Sequence, residues 1–326
     1  MSSRNLTRRE LLVGGLAAAA CDARMARALA TAAQPTTAVN FSVPLGACDC
    51  HTHVFCDPKR FPFWSGRTYT PETASVNELR ALHRALQVDR VVLVNSLVYS
   101  SNNACMVDAL RQLGPRARGI ALIDDQTSNA QLDELDRKGV RGIRLNFESF
   151  GVPEPDIARQ RFRAAVKQLA GRNWHIQIYS RLSVVQALHD DVMAAPMPIV
   201  FDHFAQASAS LGVAQSGFDA LLKMLRAGKA YVKISAAYRI STESPEYHDV
   251  TPLAKALIAA NPERVLWGTD WPHPDSSQVA GRRATDIAPL YQIDDGRLFN
   301  QLPVWVSDPN VRRTILVENP EKLYGY

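Results

Sequence analysis

The chain has 326 residues, 46% hydrophobic and 21% charged, an ordinary globular composition long enough for one large α/β domain or two small ones. Its formal charge of +5 falls to +2 without residues 1–33, where five arginines outweigh Glu10 and Asp22. No basic stripe or nucleic-acid motif remains, which excludes DNA and RNA as expected partners.

The first segment reads as an address. In "TRRELLVGGLAAAA" the twin arginines Arg8 and Arg9 precede an apolar run, residues 11–20, too short to span a bilayer. The segment resembles a twin-arginine export signal, with small-residue cleavage sites around Ala28 to Ala33. Cys21 lacks a lipoprotein context, because Ala18 stands where leucine is wanted. The expected organisation is a signal over residues 1–33, a linker over 34–45 and one domain over 46–326. That organisation predicts passage through the twin-arginine machinery to the periplasm or beyond. No other stretch is apolar enough for stable membrane insertion of the mature chain. Cys48, Cys50, Cys56 and Cys105 lack the spacing of a disulfide framework; free thiols fit that count, a structural disulfide is not required, and Cys56 is left undetermined.

From Gly46 onward, β-rich runs alternate with stretches of helical period. The runs are "GACDCH", "VDRVVLVNS", "RGIALID", "VRGIRLNF", "WHIQIY", "PIVFDH", "AYVKIS" and "RVLWGTD". Between them "SVNELRALHRALQ", "NACMVDALRQLG" and "FDALLKMLRAG" carry the 3.6-residue period, and several stop at glycine, as at Gly114 and Gly228. Eight such units predict a (β/α)8 TIM barrel; an open doubly wound sheet is disfavoured because the first turn lacks a glycine-rich phosphate loop. The long connections after the first and eighth strands, residues 54–75 and 271–307, leave the catalytic face, where they are placed to form a lid.

Strict alternation along "CDCHTHVFC" puts Asp49, His51 and His53 on the inner face and Cys48 and Cys50 outward beneath the helices, as small buried hydrophobes. Other strand ends also carry polar groups: Ser96 on the second, Arg144 on the fourth, Tyr179 on the fifth, His203 on the sixth and Asp270 on the eighth. Any one of these is explicable as a satisfied hydrogen-bonding residue; together they mark one mouth of the barrel. His175, four residues before Tyr179, is expected deep at the opposite end.

"DCHTH", "FDH" and "WGTDWPHP", in this order, resemble the amidohydrolase superfamily in its amidohydrolase-related branch. Within that branch the likeness is to the pyrone dicarboxylate lactonases and the related sugar-acid and muconolactone hydrolases. It runs from about Gly46 to "VENPEKLYGY". The resemblance implies the amidohydrolase-like barrel and hydrolysis of a lactone without a required cofactor. Tyr179 stands where metal-dependent relatives place a further histidine, and its phenol is a poor zinc ligand at neutral pH. The alternative is one divalent ion, zinc or manganese, at His51, His53 and Asp270, in a metal-dependent hydrolase or decarboxylase. A lactone isomerase and a non-catalytic binding protein on the same barrel are the other readings.

Lactone opening needs a water to lose its proton and a carbonyl oxygen to be stabilised. Asp270 is the expected general base, and His51, His53 and His203 are the expected N–H donors to the carbonyl. Arg144 and Arg239 match carboxylate-gripping arginines of the lactonases, with Tyr69, Tyr179 and Ser96 as further substrate contacts. The expected substrate is therefore a small anionic lactone or carboxylate. Phe150 and Gln206 stand where the dicarboxylate lactonases carry two more arginines, which favours a substrate with one carboxylate.

Overall fold

The computed structural model describes residues 32–149, 151, 154–277 and 279–326; the segment carrying Arg8, Arg9 and Cys21 lies outside them, as does Phe150. Within the unit Ala32–Tyr326, eight parallel strands pair in chain order. They are β1 (Cys48–Thr52), β2 (Arg90–Val94), β3 (Ala117–Ala121), β4 (Val140–Asn146), β5 (His175–Tyr179), β6 (Ile199–Phe201), β7 (Ala230–Ser235) and β8 (Val265–Gly268). The Asp270 N–H donates to the His51 carbonyl at 2.8 Å and the His53 N–H to that of Trp271 at 2.7 Å. These bonds join the first strand to the end of the eighth and close the barrel at the end that carries the candidate site.

Helices cover the barrel where the sequence period predicts them. The first, α1 (Val76–Leu86), opens on a capping box in which Ser75 accepts from the Glu78 N–H and Glu78 accepts from the Ser75 N–H. Its Leu79, Leu82 and Leu86 are fully buried in the layer that also holds Val91 and Leu93 of β2. Each such leucine contributes about 1.5–3 kcal/mol by leaving water. The next, α2 (Ala104–Leu113), stops at Gly114, whose φ of 73° suits a residue without a Cβ.

Inside the barrel, β1 departs from the predicted alternation. The register between β1 and β2 slips between Asp49 and Thr52, so three steps on β1 oppose two on β2. Cys48 and Cys50 consequently point into the barrel, packed with Val92, Val94, Ile120, Val200, Tyr231 and Leu266. Asp49 points outward and accepts from the N–H and Oγ1 of Thr269 at 3.0 and 2.7 Å, with His83 of α1 at 3.3 Å. The bulge brings His51 back to the inside directly after Cys50, and Asp49 Oδ1 accepts the His51 backbone N–H at 3.2 Å. The expected outward cysteines and inward Asp49 are thus both reversed, because one inserted residue inverts the parity of the strand.

The two long connections meet above the mouth, where Thr70–Pro71 pairs in parallel with Ile287–Ala288. A disulfide that the sequence did not require joins Cys56 in the first connection to Cys105 on α2; Cys48 and Cys50 are free and buried. Sequence spacing could not reveal this pair, since 49 residues separate partners brought together only by the fold. Residues 32–45, read above as the end of the signal and a linker, lie along the barrel. Ala33 O accepts from Trp271 Nε1 at 3.0 Å, and Asp294 accepts from the hydroxyls of Thr36 and Thr37 at 2.6 and 2.7 Å.

Candidate active site

Asp270 follows β8 in a left-handed conformation, φ 65°, and His203 follows β6 at φ 49°. Such backbone costs a non-glycine residue about 1 kcal/mol or more and recurs where a side chain must be aimed. Here both side chains turn into the barrel mouth with the two histidines of β1. Asp270 Oδ1 lies 3.3 Å from His53 Nε2 and 3.6 Å from both His51 Nε2 and His203 Nε2. Asp270, His51 and His203 are at most 1% exposed, and neither Asp270 Oδ1 nor His51 Nε2 has a hydrogen-bond partner among the described residues.

The other carboxylate oxygen, Oδ2, accepts from Tyr238 Oη and Arg239 Nε, each at 2.6 Å. Burial alone would raise the Asp270 pKa, but the Arg239 guanidinium and the surrounding imidazoles hold it well below the usual carboxylate range. Burial pushes His203 down to about 3 and His51 well below its ordinary value, so both rings are neutral at pH 7. His53 Nδ1 lies 2.8 Å from the Val94 carbonyl, which only accepts. The ring proton of neutral His53 therefore sits on Nδ1, and Nε2 offers a lone pair instead of the expected N–H donor.

Beneath this centre lies a second, fully buried carboxylate, Asp202. Its Oδ2 accepts from Arg144 Nε at 2.9 Å and Gln177 Nε2 at 3.0 Å, and its Oδ1 is 3.2 Å from His51 Nδ1 and 3.4 Å from Lys233 Nζ. The Arg144 guanidinium lies 4.8 Å from the Tyr179 ring centre. Tyr69 Oη and Ser96 Oγ are 3.3 Å apart. Together with His53, His203, Asp270 and Arg239, these four residues line a cavity of about 30 Å³. It adjoins a vestibule of about 690 Å³, walled by Tyr179, Gln206, Tyr238, Arg239, Tyr247 and Tyr291. A larger groove, about 1270 Å³, runs along the flank by α2 and touches none of the site residues.

The structure thus gathers every site residue proposed from sequence at one mouth, with two changes of circumstance. Arg239, placed for a substrate carboxylate, spends its Nε on Asp270 and reaches the Pro274 carbonyl at 3.4 Å through Nη2, while Arg144 spends only Nε on Asp202. The convergent metal-competent donors are His51, His203 and Asp270, whose ligand atoms lie within 4.8 Å of one another; His203 stands in that set where His53 was expected. Two orphaned buried donor atoms and two neutral imidazoles suit a divalent ion. Sequence reading missed Tyr238, Asp202 and Lys233. A lysine between Val232 and Ile234, in phase with inward Tyr231 and Ser235, was the available signal.

The amidohydrolase family model matches residues 48–326. The chain is 34% identical to a 2-pyrone-4,6-dicarboxylate hydrolase of Comamonas testosteroni, over 87% of this chain and 92% of that protein. It is 32% identical to a 4-sulfomuconolactone hydrolase of Hydrogenophaga intermedia, over 88% and 91% respectively. An Agrobacterium tumefaciens crystal structure superposes with a TM-score of 0.75 at 24% identity, over 89% of this chain and 99% of that one.

Proposed function

The chain belongs to the amidohydrolase family and is a hydrolase, and on that premise we propose that it opens the ring ester of a small lactone bearing one carboxylate. The observation that carries this reading is Asp270 Oδ1: a buried, unpartnered carboxylate oxygen ringed by three imidazole nitrogens at the mouth of the barrel. The names of the relatives, hydrolases of a pyrone dicarboxylate and a sulfomuconolactone, supply the substrate class.

In the proposed reaction Asp270 Oδ1 takes a proton from water as the water oxygen bonds to the acyl carbon, and the carbonyl electron pair moves onto its oxygen. His53 Nε2, an acceptor, holds the water's second proton. The N–H groups of His51 and His203 face the developing oxyanion, where preformed donors in a dry site are worth most. Collapse of the tetrahedral intermediate breaks the ring C–O bond, and protonated Asp270 returns its proton to the departing oxygen. Water and lactone thus give a hydroxy acid, or from an enol lactone an enol acid that tautomerises to the keto acid, and Asp270 is restored. Oδ2, fixed by Tyr238 and Arg239, leaves Oδ1 as the acting oxygen. The unused guanidinium nitrogens of Arg144, with Tyr69, Ser96 and Tyr179, are placed to take the substrate carboxylate. A divalent ion, where the enzyme uses one, would be held by His51, His203 and Asp270 and would supply Lewis-acid polarisation of the carbonyl.

A twin-arginine exported enzyme is part of the same proposal, supported by Arg8 and Arg9 before the short apolar run and by the Cys56–Cys105 disulfide, which suits an oxidising compartment. Its small anionic substrate would be met there. Among the described residues no helix is long and apolar enough to cross a membrane. Replacing both arginines by lysine is expected to trap the chain in the cytoplasm; unchanged fractionation would overturn the export reading.

The test of function is a panel of mono- and dicarboxylated lactones, assayed on metal-stripped and metal-loaded protein and on Asp270→Asn. Ring opening of a monocarboxylate, lost by about three orders of magnitude or more in the variant, is expected. Inactivity on the whole panel, or near-full activity of the variant, would sink the proposal.

A further inference from the structure

Lys233 is the least expected residue in the barrel. Its side chain is fully buried and points inward from β7, and its Nζ donates to Gln177 Oε1 at 2.6 Å. The same Nζ lies 3.3 Å from His51 Nδ1, so that nitrogen faces a donor, Lys233, and an acceptor, Asp202 Oδ1 at 3.2 Å, at nearly equal distances. A neutral imidazole has one N–H to place, and these two neighbours demand opposite placements.

With the proton on Nδ1, that N–H approaches Asp202 Oδ1 at 3.2 Å but out of hydrogen-bond alignment, and Oδ1 is without a hydrogen-bond partner among the described residues. The lone pair of Nε2 then faces that of Asp270 Oδ1 across 3.6 Å, and the Nδ1–H confronts an N–H of Lys233. With the proton on Nε2, Nδ1 accepts from Lys233, and Asp202 Oδ1 lies within ion-pair distance of the same Nζ at 3.4 Å. Nε2–H is then aimed toward Oδ1 from just beyond hydrogen-bond reach. With Lys233 an ammonium, its three N–H groups face Gln177 Oε1, His51 Nδ1 and Asp202 Oδ1, all of them acceptors.

We propose that Lys233 is a positioning residue that holds His51 in the Nε2–H tautomer, making it a hydrogen-bond donor at the reacting centre and withholding it as a metal ligand. Asp202 stands ready to hold the opposite tautomer, so loss of Lys233 would move the proton to Nδ1. The Nε2 lone pair would then join His203 and Asp270 in a zinc-binding set. His51 and His53, two residues apart on one strand, have opposite polarity toward Asp270: one a donor, the other an acceptor.

The catalytic consequence rests on the lactonase reading, but the tautomer and the metal affinity do not. The experiment uses the full domain with ¹⁵N-histidine, compared with Lys233→Met, which keeps the length of the side chain and removes the donor. In the wild type His51 is expected to be protonated at Nε2; a spectrum showing the proton at Nδ1 would overturn the proposal on its own, even if the variant fails to fold. In Lys233→Met the proton is expected at Nδ1, and zinc retained after dialysis should rise from well below one to about one per chain. An unchanged tautomer, or a wild type already holding one zinc per chain, would also overturn it. On a lactone that the enzyme turns over, kcat should fall about 100-fold with KM little altered; failure of every lactone would count against the reading of the reaction and leave the spectroscopic result standing.

Discussion

His53 Nδ1 donates to the Val94 carbonyl across 2.8 Å, tying the catalytic end of β1 to β2 and leaving Nε2 as a lone pair 3.3 Å from Asp270 Oδ1. This contact separates orientation from chemistry. In His53→Asn the amide nitrogen can replace Nδ1 and keep the bond to Val94, but nothing occupies the place of Nε2. The variant is expected to melt within a few degrees of the wild type while kcat falls about 10²–10⁴-fold, the usual worth of an acid–base partner. Retention of most of the activity would show that His53 only shapes the strand.

Tyr238 and Arg239 both donate to Asp270 Oδ2. A hydrogen bond to a charged group is worth about 1.5–3 kcal/mol, equivalent to about one to two pKa units. Because Tyr238 stabilises the ionised carboxylate, Tyr238→Phe should raise the depressed Asp270 pKa. The acid limb of the kcat/KM profile should move to higher pH by about one unit, with the plateau within tenfold of the wild type. A uniform loss at every pH, with the limb unmoved, would assign Tyr238 a purely structural role.

The eight strands were legible because short β-rich runs alternate with stretches of helical period, and the mouth was legible because polar side chains end so many of them. What sequence could not supply was local parity. The bulge in β1 has no residue signature, yet it turns Asp49 outward and the two cysteines inward. Partner choice was equally hidden. Arg239 reads as a substrate contact until the loop folds it onto Asp270, and Cys56 and Cys105 show no pairing until the first connection folds over α2. Asp202 lay within the recognised segment "FDH", and Tyr238 directly before the recognised Arg239. Their roles depend on His51 and Asp270, which approach them only through closure of the barrel.

His175 is deep in the barrel with neither ring nitrogen hydrogen-bonded among the described residues, and burial, with the nearby charge of Lys233, pushes its pKa down to about 3. The unfolded chain protonates this histidine near pH 6.5, whereas the folded chain does not until about pH 3. The unfolded state therefore binds more protons between those values, and stability falls as pH drops through this window by about 1.4 kcal/mol per unit for each such group. His203, also held near 3, adds a second contribution of the same sign. In His175→Gln the slope of unfolding free energy against pH, measured by denaturant titration from pH 6 to 4, should become shallower by about one proton. An unchanged slope would mean that the folded barrel already accommodates a charged His175.

Gly268 ends β8 two residues before Asp270, and its value is the space it leaves. A Cβ at this position would lie 2.8 Å from the His51 backbone nitrogen, 3.0 Å from His51 Cβ and 3.2 Å from Asp49 Oδ1. Two of those neighbours are the β1 bulge itself: the His51 N–H and the carboxylate that accepts it. Gly268→Ala touches no reacting atom, yet it must push His51 or the bulge aside, because a backbone nitrogen has no rotamer through which to yield. Overpacking of this kind costs about 1–3 kcal/mol, which the fold is expected to survive with a lowered melting temperature. The effect on turnover should be disproportionate. A shift of about 1 Å in a group that must face both the carbonyl and Asp270 Oδ1 costs about 10²-fold. Loss of kcat on that scale, with the protein folded and KM changed little, is the expected result. Wild-type kcat in Gly268→Ala would mean that β1 has slack at the bulge, and that the reacting geometry of His51 is set elsewhere.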